Sequence, residues 1–237
     1  MAKHAAILGV DTALGAYLAR LLGARGYDVR STGGAELLDR LGIAGDVTLT
    51  DTPDDAVDGA AEIYDLRYAA AVPAADGRLV IAVDPADTRR RAAVAAERAA
   101  GRFVAGALIW PHESRFGPGT SPIARIVAAT ATGAEPAAAD LATSTDCGWS
   151  AEYVDALWRM AQRPAAAEIV IATGRLLSGL DAARVAATYF KRSPPGDVAI
   201  PAGMAGDPVR ASAALDWRAV TYGSDLVTVL CEGAAAT

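Results

Sequence analysis

Residues 5–31 read AAILGVDTALGAYLARLLGARGYDVRS, and their pattern decides the fold. Ala5 to Gly9 form a short apolar run suited to a buried strand, and Gly9 opens a turn. Leu14, Tyr17, Leu18, Leu21 and Leu22 then recur at steps of three and four, which draws one apolar stripe along a helix. Gly26 supplies the helix stop, and Tyr27 to Ser31 reads as a second strand. Strand, glycine-rich turn, helix and strand together open a Rossmann-like dinucleotide-binding fold.

The alternation continues outward. Asp46–Thr50, Glu62–Leu66, Arg78–Val83 and Phe103–Trp110 read as strands, with a helix over Ala86–Ala100. This order predicts an α/β protein with a mostly parallel sheet. The stretch between Leu66 and Arg78 holds Pro73 and Gly77 and is too short for a helical crossover. One covering helix is therefore predicted to be missing, leaving a sheet face partly bare unless a partner or another segment fills it. Beyond Gly133 the pattern loosens into Ala and Pro. A helix follows over Ala151–Ala161, a strand over Glu168–Thr173, a helix over Leu180–Tyr189 and a loop at Pro194-Pro195-Gly196. The expected division is a Rossmann-like core over residues 1–133 and a small C-terminal α/β lobe over residues 134–237, interleaved with the core rather than independent.

Composition narrows the functions. The 237 residues are 52% hydrophobic and 21% charged, enough for one sizeable core and unlike a disordered chain. A net charge of −6 and no basic run longer than Arg89-Arg90-Arg91 argue against a nucleic-acid surface. The triplet itself is expected on a solvated helix face. Cys147 and Cys231 lie far apart, and with His4 and His112 they make no metal-binding spacing. No apolar stretch reaches the ~18 residues of a membrane span, so a cytoplasmic location away from the membrane is expected.

Three stretches carry a resemblance: GALIWPHES at 106–114, EIVIATG at 168–174 and GDPVRASAALDW at 206–217. They resemble GDP-mannose 4,6-dehydratases, of the extended short-chain dehydrogenase/reductase (NAD-dependent epimerase/dehydratase) superfamily. Asp146, Gly148, Tyr153, Val154 and Trp158 are similar to the family's segment leading into a Tyr-Val pair. Gly9, Gly15, Tyr17, Leu18, Ala19, Gly26 and Tyr27 match its first βαβ unit. The relatives are longer; the missing length falls mainly between Leu66 and Ala86 and around Pro195–Ala205.

The resemblance implies hydride transfer to NADP followed by elimination of water. A Tyr-x-x-x-Lys pair, a Ser/Thr and a glutamate carry those steps. The lysine's charge lowers the tyrosine pKa so that the phenol acts as base. This chain has only Lys3 and Lys191, and Ala187 stands four residues before the latter. Counting back from His112 puts Ala82 and Ala86 at the pair's positions; aligning on Pro85 puts Ala86 and Arg90 there. Asp84-Pro85 replaces the Ser/Thr-x-x-Glu stretch, and Asp84 reads as a turn opener. All four catalytic roles are vacant.

By the same resemblance Gly9, Thr12, Leu14, Gly15, Arg30 and Asp51 would line the NADP site. Thr12 stands where a glycine lets the pyrophosphate approach, and Asp11 adds a negative charge beside it. The free N–H groups of the helix N-terminus still suit an anion. On the GDP-sugar side His112, Glu113, Ser114, Arg115 and Arg125 match, with Pro111 in place of an asparagine. The competing readings are a scaffold kept for folding only and a structural turn at His112–Ser114. The expected function is a catalytically depleted homologue that partners or regulates a dehydratase-like protein in a homo- or hetero-oligomer. Two alternatives stay open. One is a divergent NADP-dependent nucleotide-sugar dehydratase/epimerase or nucleotide-sugar-binding protein; the other is an interaction module using the bare sheet face.

Overall fold

A computed structural model describes residues 2–69, 71–116 and 119–236. The chain opens with β1 (His4–Leu8), α1 (Ala13–Ala24), β2 (Asp28–Thr32) and α2 (Glu36–Arg40). A 3₁₀ turn at Ala44–Asp46 leads to β3 (Val47–Leu49), α3 (Pro53–Val57) and β4 (Glu62–Asp65). Then come β5 (Arg78–Val83), α4 (Thr88–Ala99), β6 (Val104–Ile109), β7 (His112–Glu113) and α5 (Pro122–Thr132). The second half holds α6 (Ala138–Leu141), β8 (Ser144–Asp146), β9 (Gly148–Trp149), α7 (Ser150–Gln162), β10 (Glu168–Ile171) and β11 (Leu176–Ser178). It ends with α8 (Gly179–Tyr189), α9 (Val209–Leu215) and α10 (Gly223–Ala235). No helix among the described residues is long and apolar enough to cross a membrane.

The chain divides into two compact units. The first comprises residues 1–109, 153–171 and 209–217; the second comprises 110–152, 172–208 and 218–237. The expected boundary at Gly133 differs from this division. Residues 110–133 belong to the second unit, while 153–171 and 209–217 return to the first. The reason is β10, a strand far along the chain that completes the first unit's sheet.

That sheet has seven strands in the order β10-β6-β5-β4-β1-β2-β3, with every pairing parallel. The expected architecture is therefore present. Successive connections leave β1 in opposite directions, toward β2 on one side and β4 on the other. The switch point of the sheet lies at the carboxyl ends of β1 and β4, where open α/β sheets bind ligands.

No helix joins β4 to β5 among the described residues, yet the two pair in parallel from Glu62↔Arg78 to Asp65↔Ile81. The missing cover is supplied by the connecting segment itself. Val72 and Ala75 pack on the apolar cluster of Ile63, Leu79, Ile81, Val83 and Val94. Arg102 fixes the segment by donating from Nη2 to the carbonyls of Pro73 at 2.9 Å and Ala75 at 2.8 Å. Gly77 ends it where a Cβ would stand 2.4 Å from the Ala60 carbonyl oxygen, so only glycine fits. Val72 and Ala75 thus cover part of the face that the missing helix would otherwise cover.

The second unit packs α5, α8 and α10 around Ile123, Val127, Leu177, Ala182, Ala186, Leu226, Val227 and Leu230. Cys147 and Cys231 are free thiols buried in this cluster. Helix α5 was not among the expected elements. Ser121 caps it by accepting from the Ala124 amide, Pro122 begins it, and Gly133 ends it with φ 80°.

Candidate functional site

The first turn is tight because Gly15 packs on Gly9: a Cβ at Gly15 would lie 2.2 Å from the Gly9 carbonyl oxygen. Thr12 is the N-cap of α1. Its hydroxyl accepts from the Gly15 amide at 3.0 Å and donates to the Gly9 carbonyl at 2.9 Å. The side chain that replaces the expected glycine thus fills the cap position with its own oxygen. Asp11 is exposed, and the turn after β2 comes close to it. A Cβ at Gly33 would stand 3.2 Å from both the Asp11 amide nitrogen and its Oδ1.

The carboxyl end of β4 carries the feature the sequence reading missed. Ile63 and Asp65 alternate onto the face covered by α4. Asp65 is fully buried. Its Oδ1 accepts from Arg67 Nε at 2.9 Å and from the Arg67 amide at 3.2 Å. Its Oδ2 accepts from Arg67 Nη2 at 3.3 Å and from Arg90 Nη2 at 3.2 Å. Arg90 lies one helical turn before Val94, and these two are the buried residues of α4. Arg90 Nε donates to the Ala82 carbonyl at 3.1 Å, while Nη1 is buried without a hydrogen-bond partner.

This corrects the expected solvated triplet: Arg90 is in the core, Arg91 pairs with Glu168 at 2.8 Å, and Arg89 alone is exposed and unpaired in this run. Under the alignment on Pro85, Arg90 stands at the lysine position, but its charge is directed at Asp65 and not at a tyrosine on the preceding turn. Asp84 opens a turn, as expected, by accepting from the Ala86 amide at 2.8 Å.

Arg67 follows directly. Its aliphatic stem crosses the switch point: a Cβ at Gly9 would meet Arg67 Cγ at 3.3 Å. Tyr68 comes next with φ 54°, a left-handed conformation that a bulky residue rarely adopts. Desolvation, then the charge of Asp84, push its phenol up to about 12, against an opposing pull from Arg90. That phenol stays protonated and serves no base chemistry near neutral pH.

In the second unit His112, Glu113 and Ser114 do come together. His112 Nδ1 lies 2.8 Å from Ser150 Oγ, and Ser150 donates its proton to the Glu113 carbonyl at 2.8 Å. The serine proton is committed, so the imidazole donates from Nδ1 and cannot activate Ser150 as a nucleophile. Ser150 is also fully buried. Burial lowers the His112 pKa to about 4, leaving the ring neutral. Burial raises the Glu113 carboxyl, opposed by a hydrogen bond from Ser121. Burial likewise holds the Cys147 thiol well up and Cys231 at about 11, so neither is a nucleophile at neutral pH.

Nearby, the buried Asp146 carboxylate accepts from the amides of Thr173 at 3.0 Å, Gly174 at 2.9 Å and Gly206 at 3.0 Å, and from the Thr173 hydroxyl at 2.6 Å. It ties three loops together.

Besides Leu14, which belongs to the first turn, the remaining expected residues are dispersed. Leu14 is a core side chain. Arg30 sits mid-strand opposite Ala6 and Thr48, with Nη2 4.0 Å from Asp28, away from the carboxyl edge of β2. Asp51 is exposed ahead of α3. Arg115 pairs with Glu232 at 2.7 Å. Arg125 is engaged by Asp140, with Nε to Oδ2 at 3.0 Å, and that hydrogen bond holds the Asp140 carboxyl low. Neither guanidinium joins the His112 cluster. The expected sites thus resolve into one coherent turn at Gly9–Gly15, one coherent loop at His112–Ser114 and four separate residues.

A seven-stranded parallel sheet with this strand order and a glycine-rich first turn defines a Rossmann-type α/β protein, and solved structures of several nucleotide-sugar enzymes share its fold. An NAD-dependent NDP-hexosamine 5,6-dehydratase, TunA, involved in tunicamycin biosynthesis, matches with TM-score 0.78 at 15% identity over 99% of this chain and 98% of its own. UDP-glucuronic acid 4-epimerase from Bacillus cereus, in complex with UDP-glucuronic acid and NAD, matches with TM-score 0.80 at 10% identity over 98% of this chain and 99% of its own. The dTDP-glucose 4,6-dehydratase of Bacillus anthracis, in complex with NAD, matches with TM-score 0.78 at 9% identity over 100% and 97%. At such identities the likeness is one of fold. No family model and no curated protein matches the sequence.

Proposed function

We propose that this protein is a non-catalytic relative of the nucleotide-sugar dehydratases and epimerases, working without a dinucleotide and acting through association with a dehydratase-type enzyme. The observation that carries the reading is the carboxyl end of β4, where Arg67 and Arg90 both engage the buried Asp65 in the place such a fold uses for chemistry. A dinucleotide fits this edge poorly on three counts. Thr12 already caps α1, Asp11 sets a carboxylate at the turn, and Arg67 lies over Gly9. The Tyr-x-x-x-Lys pair is absent from the sequence, and neither His112 nor Tyr68 titrates where a proton shuttle works. A retained fold without reactive groups suits a subunit that stabilises or regulates an active homologue.

The test combines two assays. The purified protein with NAD or NADP and GDP-mannose is expected to show no turnover. Co-expression with a GDP-mannose 4,6-dehydratase is expected to yield a complex or a changed activity; turnover by this chain alone, or no association and no change, would overturn the reading.

A second reading, binding of a nucleotide sugar without chemistry, is favoured by a groove of about 550 Å³ in the second unit. It is lined by Thr130, Glu135, Leu141, Arg192, Pro194 and Asp197 among others, so the Arg192 cation shares it with two carboxylates. Sites of this size hold small ligands. A thermal shift with GDP-mannose or UDP-glucose that is lost in Arg192→Ala would move this reading to first place.

A further inference from the structure

The geometry points to Arg67 as the residue that excludes a dinucleotide: its side chain, folded onto Asp65, is a strap laid across the switch point of the sheet. This rests on the cofactor-free reading above and names the device responsible.

Three observations converge. Ligands of open α/β sheets enter the crevice beyond the strand ends where the connections diverge, here beyond β1 and β4. Arg67 is the second residue past the end of β4, and its Cγ would stand 3.3 Å from a Cβ on Gly9, which follows β1 directly. A chain of methylenes therefore occupies the space over Gly9, which has no side chain of its own. The strap is also anchored. Both oxygens of a fully buried carboxylate hold the guanidinium, and the Arg67 amide adds a third bond to Oδ1. Such bidentate pairing fixes the direction of the fork as well as its position. Asp65 itself cannot turn away, because Arg90 holds Oδ2 from within the core. The Arg67 side chain keeps 31% exposure, so one side of the strap faces solvent.

Thr12 and Asp11 bear on the same crevice but are weaker obstacles. The Thr12 hydroxyl is small and sits at the helix cap, and Asp11 is exposed, where solvent screens its charge. The strap is the bulk that a bound diphosphate and ribose would have to displace.

The experiment titrates the full chain with NADH and NADPH by fluorescence, and with NAD and NADP by calorimetry. Wild type, Arg67→Ala and Thr12→Gly are compared, with thermal melting as the folding control. Wild type and Thr12→Gly are expected to show no saturable binding up to ~1 mM, whereas Arg67→Ala gains at least about tenfold in affinity from the emptied crevice. Should Arg67→Ala melt early, Arg67→Ser, whose hydroxyl can still reach Asp65, is expected to give the same gain. Wild-type binding as tight as the variant's, or tighter, would overturn the strap and the cofactor-free reading together. A folded Arg67→Ala that binds no better than wild type, or a gain confined to Thr12→Gly, would overturn the strap alone and leave the cofactor-free reading standing.

Discussion

The two ends of β4 each bury a carboxylate, and they solve the same problem in opposite ways. At the amino end Glu62 accepts from Lys3, from Tyr27 at 3.3 Å, from Tyr64 at 2.7 Å and from Gln162 at 2.8 Å. Three of those four donors are neutral, and the two phenols can reverse their hydroxyls to become acceptors. At the carboxyl end Asp65 is held by Arg67 and Arg90, whose guanidinium hydrogens can never be withdrawn. The amino end is a closed network. The carboxyl end keeps a surplus donor, Arg90 Nη1, and a left-handed Tyr68 beside it. Satisfied polar groups accumulate where a fold only has to hold together; excess charge and backbone strain accumulate at the edge where such folds work.

The contrast can be broken most decisively by neutralising each carboxylate in turn. Asp65→Asn turns an amide toward guanidinium groups that cannot accept from it and leaves Arg90 buried without a counter-charge. A loss of about 3–5 kcal/mol in urea unfolding is expected. Glu62→Gln meets partners that can reorient, so its loss should be near 1–2 kcal/mol. Equal losses would erase the distinction between the two ends.

Between these in size lies a pH effect in the second unit, at His112. Unfolded, His112 takes a proton near its ordinary value of 6.5; folded, it does so only at about 4. Between those values the unfolded state binds more protons, so stability rises with pH and is lost on acidification through that window. The loss reaches up to about 3 kcal/mol at the acid end. His112→Asn keeps a donor toward Ser150 and should flatten the dependence of melting temperature on pH over that interval. Glu113, pushed up by burial, titrates with the opposite sign above its ordinary 4.5 and is untouched by the substitution. A variant as acid-sensitive as wild type would contradict a neutral buried imidazole.

The smallest effect concerns the segment covering the sheet beside β4. Arg102→Ala removes two bonds to the carbonyls of Pro73 and Ala75 and should cost about 1 kcal/mol. Faster amide exchange confined to residues 72–77 would confirm that Arg102 fastens the cover.

The βαβ opening was legible because the stripe from Leu14 to Leu22 has one period and one face, and Leu14, Tyr17, Leu18 and Leu22 of that face are buried. The short β4–β5 link was legible from length alone. Its covering role was not, since Val72 and Ala75 carry no periodicity that marks them as core. Arg90 was misread because a run of three arginines gives no hint of which one turns inward. Only its spacing of four from Val94 held that information. Helix α5 carries its start and stop signals in Ser121, Pro122 and Gly133. Four of the expected ligand contacts dispersed because a resemblance aligns positions in the chain, whereas an ion pair such as Arg125–Asp140 depends on where the folded chain brings a partner.

The direct link between β4 and β5 also bears on how the molecule assembles. Two parallel strands ordinarily meet only after a long intervening helix has formed and docked. Here a small loop closes instead, at a lower entropic cost. The β4–β5 pair is thus placed to form early, with Leu79 and Ile63 in contact before the distant β10 arrives to finish the sheet. With so short a connection, the centre of the sheet is expected to be the place where folding starts.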